Sequence, residues 1–412
     1  MIFYYETNDE KSSEEKKFSN REKKRMQMKL RKLWPVFGLM CMGLFSTASA
    51  HPYSNHSQTG SMSSDSSSNQ GTYQRGSTRE ITPDAGPRVV HGADVFITAD
   101  FIWWKATQEG TDYATTGFQA DTPADTLVNA SRGHERTVGR DWAPGFKVGL
   151  GLNMSHDGWD IYAQYTWLRP SNSSSLSSDA VAPTSIIQTG DGPTVLGSRI
   201  SAHWDLDFNV IDTELGRNFY LSQFLTMRPF IGLKATWQDQ KLRSRITSRG
   251  TEGFVAGEDG NGNDIILEGP YKIHEKMDNW GIGVRGGFNI AWYMAKQWSI
   301  YGDLAWTAMW TDYTEISRKD TIENPTDVLG GGTATNINVR NNDHYAIKHI
   351  LELELGLRWE IWFYDDNYHF AIQAGWEEQV WINWGTNFDL LTGQDWNDLS
   401  FHGLNLKFRF DF

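Results

Sequence analysis

Cysteine and long apolar runs are scarce in this sequence. Its 412 residues contain a single cysteine, Cys41, so no disulfide can form within the chain and no thiolate metal site is available. No stretch beyond the N-terminal region reaches the roughly 18 consecutive apolar residues that suggest a membrane-spanning helix. Basic residues are outnumbered, and a net charge of −13 argues against a nucleic-acid-binding surface, which needs clustered Lys and Arg.

Aromatic residues, in contrast, are abundant. The chain has 19 Trp, 15 Tyr and 21 Phe, which make up 13% of it, although mean hydropathy is only −0.53. A transmembrane β-barrel has this combination, because lipid-facing and lumen-facing side chains alternate and keep the mean hydropathy low. The composition therefore favours one large closed sheet over two or three soluble domains.

The N-terminal region has the order of a secretory signal peptide. Basic residues precede an apolar run at 33–45, and Ala48-Ser49-Ala50 supplies a small-residue cleavage site before His51. The run is shorter than the roughly 20 residues of a spanning helix; a buried helix is the competing interpretation. We predict a signal peptide at 1–50, for which Met26 or Met28 is an alternative start, then a disordered Ser-rich periplasmic leader at 51–93 and the barrel at 94–412.

From residue 94 onward, apolar and polar residues alternate with period 2, which places them on opposite faces of a strand. Leu351, Leu353 and Leu355 alternate with Glu352 and Glu354, for example. The predicted fold is all-β, a transmembrane antiparallel up-and-down barrel of about ten strands, with 8–16 as the range. The ten segments are 95–105, 142–154, 159–168, 202–215, 225–238, 279–293, 298–311, 346–362, 368–382 and 400–412.

The apolar face of the fourth segment changes parity. It passes from Trp204, Leu206, Phe208 and Val210 to Ile211, Thr213 and Leu215. One inserted residue would produce such a change, so the pattern predicts a β-bulge near 210–211.

Short and long connections alternate between the segments. Short turns at 155–158, 219–224, 294–297 and 364–367 separate long polar loops at 106–141, 169–201, 239–278, 312–345 and 383–399. Outer-membrane barrels have short periplasmic turns and long extracellular loops. An even strand number then places both ends of the barrel on the periplasmic side. Further strands hidden in the loops would widen the barrel.

Tryptophans cluster at the segment ends, where indole rings prefer the lipid headgroup zone. They predict two aromatic girdles, formed chiefly by Trp103, Trp159, Trp167, Trp280, Trp292, Trp298, Trp310 and Trp359, and joined by Trp104, Trp142, Trp204, Trp237, Trp362 and Trp381.

The last strand ends in alternating aromatics, Phe408, Phe410 and Phe412. This ending resembles the signal that the outer-membrane assembly machinery recognises, so we expect that machinery to be a partner.

Charged residues of both signs occupy the positions that alternation assigns to the barrel interior. They either line a water path or form ion pairs that plug the barrel; inward glycines at 149, 151, 232, 281, 283, 287 and 356 favour the path. We expect Asp205, Glu352 and Glu354 to bias the lumen toward cations. The candidate pore-lining residues are Lys147, Asp160, Arg228, Lys234, Arg285, Asp303, Glu352, Glu354, Arg358, Glu360, Glu377, Lys407 and Arg409.

Catalytic and metal-binding patterns are weak. The segment 259–264 has the residue types of a calcium loop but lacks its spacing and closing Glu. Asp343 and His344 are adjacent on the chain, so in a strand they point to opposite faces and cannot serve one site. We therefore expect no catalytic residue, no metal and no cofactor.

Several segments are together similar to one known family. They include ADVFITADFIWWK at 93–105, EG at 109–110, DYA at 112–114, WDLDF at 204–208, DTELGR at 212–217 and LTMRPFIGL at 225–233. In these the chain resembles the Legionella-type major outer membrane proteins, which also occur in chlamydia-like bacteria. The resemblance covers 93–412 and implies an abundant pore-forming surface protein. Proteins of this kind in true chlamydiae are linked by many disulfides, which the lack of cysteine rules out here.

The sequence thus predicts an integral protein of the bacterial outer membrane, a porin for passive diffusion of small hydrophilic solutes and ions. A non-conducting structural or adhesive surface barrel is the main alternative, and a barrel enzyme is a second. Expected partners are outer-membrane lipid, the assembly machinery and the diffusing solutes, with no nucleic acid. Homo-oligomer formation is left open.

Overall fold

In a computed structural model, the described residues are 93–116, 133–155, 158–183, 197–248, 254–258, 264–267, 270–322, 337–341, 344–364, 368–389 and 393–412. The predicted signal peptide and leader lie outside them. Within these ranges, no helix is long and apolar enough to cross a membrane.

Ten long strands pair in chain order, each antiparallel to the next, and the first also pairs with the last. Since β1 contacts both β2 and β10, the sheet closes into a barrel, which confirms the predicted fold and strand number for the described residues. The strands are β1 Ala93–Gln108, β2 Trp142–Met154, β3 Trp159–Leu168, β4 Gly197–Arg217, β5 Leu225–Ser248, β6 Tyr271–Ala295, β7 Trp298–Ile322, β8 His344–Phe363, β9 Tyr368–Asp389 and β10 Gly393–Asp411.

Among the described residues, seven further strands lie outside this ring of ten. Some extend its sheet beyond the ends of the barrel strands, and two of them form a separate hairpin. They are Asp112–Thr115, Glu135–Thr137, Ser171–Pro183, Phe219–Ser222, Phe254–Glu258, Asp264–Leu267 and Ile337–Asn341.

The outer face of the barrel is apolar and the inner face is charged. On β8, Leu353 and Leu355 are 45% and 56% exposed, whereas Glu352, the residue before Leu353, is only 8% exposed. Exposing contiguous apolar area to water is unfavourable by about 25 cal/mol per Å². A lipid bilayer removes that cost, so this face is the one that meets lipid.

Several strands are much longer than a membrane requires. A tilted transmembrane strand needs about 9–11 residues, whereas β5, β6 and β7 have 24, 25 and 25. Their surplus lies at the long-loop end. The strands therefore continue above the bilayer, where their outer face meets water.

This extension explains why the predicted bulge near 210–211 is wrong. The pairing of β4 with β5 is regular from Arg199 to Gly216, with no register shift at those residues. Trp204, Leu206 and Phe208 share the inner face with Asp212 and are buried. In the membrane zone the outer face of β4 is apolar because it meets lipid. Above the membrane the outer face meets water, so the inner face is the apolar one.

A register shift does occur elsewhere, between β6 and β7. Asp278 pairs with Glu315 but Asn279 pairs with Tyr313, so Thr314 is the additional residue. Up to Tyr313 the odd-numbered residues of β7 point inward and most are buried, whereas from Ile316 onward the even-numbered residues do so. The bulge turns Ile316 and the ion-paired Arg318 and Asp320 inward where β7 leaves the membrane zone.

The tryptophans divide into two groups. The eight chief girdle candidates all lie on the outer face, and Trp103, Trp292 and Trp298 are 44%, 50% and 47% exposed. Trp142 and Trp237 join them. Trp104, Trp204, Trp362 and Trp381, assigned to the girdles from sequence, instead point inward. Their strand parity places them inside, where the first two and Trp381 fill the upper lumen.

Candidate functional site: the barrel lumen

The charged interior encloses one cavity of about 230 Å³. It reaches the short-turn end of the barrel, where Asn218 and Tyr220 contribute to its wall. All thirteen candidate residues line it, from Lys147 on β2 to Arg409 on β10. Alternation within each strand therefore placed them on the correct face, although their role in conduction stays a prediction.

A chain of ion pairs runs around half of the cavity wall. Arg228 contacts Asp160 on β3, at 2.9 Å from Nε to Oδ2, and Glu214 on β4, at 2.7 Å. Arg285 then joins Glu214 to Glu352 on β8, at 2.5 and 2.7 Å. Such charge-assisted contacts fix long side chains against the wall.

Lys234 closes this chain from β5. Its ammonium lies 2.8 Å from Asp212 and 2.6 Å from Glu352, and its side chain is 1% exposed. Each carboxylate in the chain thus has a cationic neighbour, and the seven charged groups brace β3, β4, β5, β6 and β8 against one another.

A second network occupies the opposite wall. Lys147 donates to both oxygens of Glu377, at 2.6 and 2.8 Å, across the two strands that separate β2 from β9. Asn405 donates to Glu377 and to Glu354, at 3.2 and 3.1 Å. Tyr301 also donates to Glu354, at 2.5 Å. Glu354 is therefore held by neutral donors, unlike the acids of the first chain.

A third cluster lies toward the short-turn end. Asp411 accepts from Arg409, with 2.6 Å between Nη2 and Oδ1, and contacts His369 Nδ1 at 2.7 Å. Asn153 donates to the same carboxylate at 3.2 Å. These contacts tie the last residues of β10 to β2 and β9, which stabilises the closing seam of the barrel.

Aromatic rings close the lumen above the cavity. Phe208 on β4 lies 5.3 Å from Trp381 on β9 and 4.4 Å from Phe401 on β10, between ring centroids. Trp384 adds an edge contact to Trp381 at 4.6 Å. All four rings are at most 1% exposed. Because β4 and β9 are five strands apart in a ring of ten, their contact spans the whole lumen.

Polar contacts hold these rings in place. Trp384 Nε1 donates to Gln238 at 2.9 Å, and Trp381 Nε1 donates to Gln379 at 3.1 Å. Tyr313 donates its hydroxyl proton to the Trp384 carbonyl at 2.8 Å. We name Phe208, Trp381, Trp384 and Phe401 the aromatic constriction. Sequence analysis missed it, although Trp381 has the same parity as Glu377 and Gln379.

Four of the inward glycines leave room for aromatic rings. A Cβ on Gly151 would overlap the Phe96 ring, and one on Gly356 would lie 2.8 Å from Tyr301. Gly149 is in the same way covered by Tyr162, and Gly287 by Phe230. Rings therefore occupy the space beside these four glycines, and the water path that the glycines were expected to favour stays a prediction.

One residue of the expected cation-biasing group lies elsewhere. Asp205 is on the outer surface of β4 above the membrane, where it accepts from Ser171 and contacts His203 at 2.7 and 3.0 Å. Its odd parity, unbroken by a bulge, puts it outside. Glu352 and Glu354 do face the cavity.

The weaker motifs add no site. Asp343 and residues 259–263 lie outside the described residues, and the His344 ring packs on Tyr313 and Trp396. Over the part of the chain that the structure describes, no group of three His, Cys, Asp or Glu side chains is arranged to hold a metal ion.

A family model matches most of this chain. It describes the Legionella pneumophila major outer membrane protein precursor and aligns with residues 91–412, which include every barrel strand. The chain belongs to this family. A Legionella-type major outer membrane protein with a closed barrel and a lipid-facing apolar surface is integral to the bacterial outer membrane. No curated protein matches the sequence significantly.

Solved structures of outer-membrane barrels are distant from this family member. The outer membrane protease OmpT of Escherichia coli has 10% identity and a TM-score of 0.31, over 77% of this chain and 97% of its own. Ail, the attachment invasion locus protein of Yersinia pestis, has 7% identity and a TM-score of 0.21, over 77% and 99%. A Pseudomonas aeruginosa FadL homologue has 8% identity and a TM-score of 0.21, over 78% of this chain and 90% of its own. Likenesses this weak transfer no activity.

Proposed function

We propose that this protein is a narrow outer-membrane porin for small hydrophilic solutes and ions, whose conductance the aromatic constriction limits. The observation that carries the proposal is the charged cavity in the membrane zone. Burying so many ionisable groups costs free energy, which an apolar interior would avoid. A water path through the barrel requires a polar wall and accounts for that cost.

The way in which the lumen is closed supports the proposal that the aromatic constriction acts as a gate. Side-chain rings, rather than backbone, bridge the lumen in the described residues at Phe208 and Trp381. Apolar constrictions in channels gate by wetting and dewetting, which needs only small displacements of side chains. Displacement of these rings, and of the buried apolar side chains that pack around them such as Trp104 and Trp204, would connect the cavity to the long-loop side.

The cavity wall also supports a weak preference for cations. Nine carboxylates and seven Lys or Arg side chains line it, an excess of two negative charges. Glu354, held by the neutral donors Tyr301 and Asn405, would contribute most to that preference. We infer that Glu354→Gln lowers cation selectivity.

Planar-bilayer recording of the refolded protein tests the proposal. The parent protein should show small, flickering conductance steps, and Phe208→Ala with Trp381→Ala should enlarge them. The matched control removes one Phe and one Trp from the lipid face, Phe288→Ala with Trp306→Ala, and should leave the steps unchanged. Under a salt gradient the reversal potential should indicate cation preference; anion preference would refute that part.

A non-conducting surface barrel is the second candidate, and the ring contact between β4 and β9 is the observation that favours it. If the parent protein gives no conductance, the porin proposal is wrong, whether or not the double variant conducts. A silent parent with a conducting variant would identify a plugged barrel with a structural or adhesive role.

A further inference from the structure

Positive charge is concentrated on the outer surface above the membrane zone. Arg243 and Arg245 on β5, Lys272 and His274 on β6, and Lys319 on β7 all point outward there. We name these five residues the basic face. Arg243 pairs directly with His274, which pairs with Lys319, while Arg245 pairs with Lys272.

This arrangement is unfavourable for the sheet by itself. Like charges directly opposite on neighbouring strands destabilise their pairing. The row through Arg243, His274 and Lys319 contains no acid, and Asp205, which also contacts His203, lies 3.6 Å from Arg243. Nearby Asp278 and Glu315 are held by Lys276, at 2.8 and 3.1 Å.

The effect of this field is seen at His274. Burial first, and then the charges of Arg243, Lys241, Lys276 and Lys319, hold the pKa of this imidazole below its ordinary value of 6.5. Every charged contributor is a base. An anion at this surface would relieve a repulsion that the fold itself maintains.

A groove lined in part by the basic face could hold such an anion. Its volume is about 570 Å³, and Arg199, Arg243 and Arg245 line it together with the serines at 173, 175 and 201. Arginine forks bind phosphate oxygens in pairs, and serine hydroxyls donate a further bond. The donor set fits phosphate groups carried on a polar, sugar-like body.

The height of the groove indicates the source of the phosphate. Trp237 lies on the outer face, its ring 6.1 Å from Tyr165, and marks the aromatic girdle on β5. Arg243 follows it by six residues. With a rise of about 3.3 Å per residue and a tilt of about 40°, it stands roughly 15 Å above the girdle. The phosphorylated sugars of outer-leaflet glycolipid occupy this layer.

We propose that the basic face binds the phosphate groups of lipopolysaccharide in the surrounding outer leaflet. The lipid then packs against the apolar wall below, while its phosphorylated sugars lie in the groove beside Arg243 and Arg245. The site is on the outer surface and does not depend on conduction through the lumen.

The test measures binding of purified lipopolysaccharide to the full chain refolded in non-ionic detergent. Arg243→Gln with Arg245→Gln should weaken binding about tenfold, because two charge-assisted contacts are lost. The matched control, Arg136→Gln with Arg140→Gln, removes two exposed arginines of another extracellular segment and should change affinity less than about twofold. Dephosphorylated lipopolysaccharide should bind the parent as weakly as the intact glycolipid binds the first variant.

Circular dichroism and heat-modifiable gel mobility establish that each variant is folded. Equal affinity of the two double variants would overturn the proposal. So would undiminished binding of the dephosphorylated glycolipid. If dextran sulfate binds the basic face and lipopolysaccharide does not, the partner is a soluble polyanion, and the glycolipid assignment is wrong.

Discussion

Arg285 offers a quantitative test of the lumen networks. Its guanidinium bridges Glu214 and Glu352, with contacts of 2.5 and 2.7 Å, and its side chain is 11% exposed. Removing one partner of a buried ion pair costs about 3–5 kcal/mol. Here Glu214 keeps Arg228 and Glu352 keeps Lys234, so Arg285→Gln should lower the free energy of unfolding by about 3 kcal/mol, the low end of that range.

Arg169 supplies the matched control. It pairs with Asp207 above the membrane, but the two side chains are 57% and 28% exposed. Exposed ion pairs contribute about 0–1 kcal/mol, so Arg169→Gln should have little effect. Tryptophan fluorescence during urea unfolding from lipid vesicles measures both.

Similar losses for the two variants would refute the reasoning. They would mean that water screens the Arg285 contacts as fully as it screens a surface pair, and that the wall is an open aqueous surface. A double-mutant cycle of Arg285→Gln with Glu352→Gln should give a coupling energy of at least about 1 kcal/mol.

Two further predictions concern packing and pH. Gly151→Ala should lower the free energy of unfolding by about 1–3 kcal/mol in the same assay, because its Cβ meets the Phe96 ring, and adding Phe96→Leu should restore part of the loss. The control is Gly286→Ala on the outer face, whose Cβ meets only a carbonyl oxygen at 3.8 Å. Its stability should stay within about 0.5 kcal/mol of the parent. Since the pKa of His274 is lowered, the folded protein binds this proton more weakly than the unfolded chain does, so the residue's contribution to stability falls as pH drops below 6.5. His274→Gln should flatten that part of the stability profile, and an unchanged profile would contradict the origin of the shift.

Local alternation was sufficient to predict the fold and the inward charges. In β8 the leucines and glutamates repeat with period 2 over the full membrane thickness, so each residue's face follows from its neighbours alone. The same reasoning placed Lys147, Arg285 and Glu377 on the cavity wall without any knowledge of their partners.

The constriction could not be predicted in this way. Parity puts Phe208 on the face of Asp212, but whether the apolar face of β4 meets lipid or fills the lumen depends on height relative to the bilayer, and a period-2 pattern does not contain that height. Its contact with Trp381 depends on closure of the barrel, which brings together residues far apart in the sequence. The misplaced bulge and the misplaced Asp205 have the same origin.

Thiol labelling of a residue below the constriction tests the central claim most directly. Thr226 lines the cavity on β5, near the short-turn end. In proteoliposomes of a Cys41→Ser, Thr226→Cys chain, a bulky, charged maleimide should label the thiol from the short-turn side at least about tenfold faster than from the long-loop side. Adding Phe208→Ala and Trp381→Ala should remove most of that difference. Equal labelling from both sides in the parent background would show that the rings do not close the lumen.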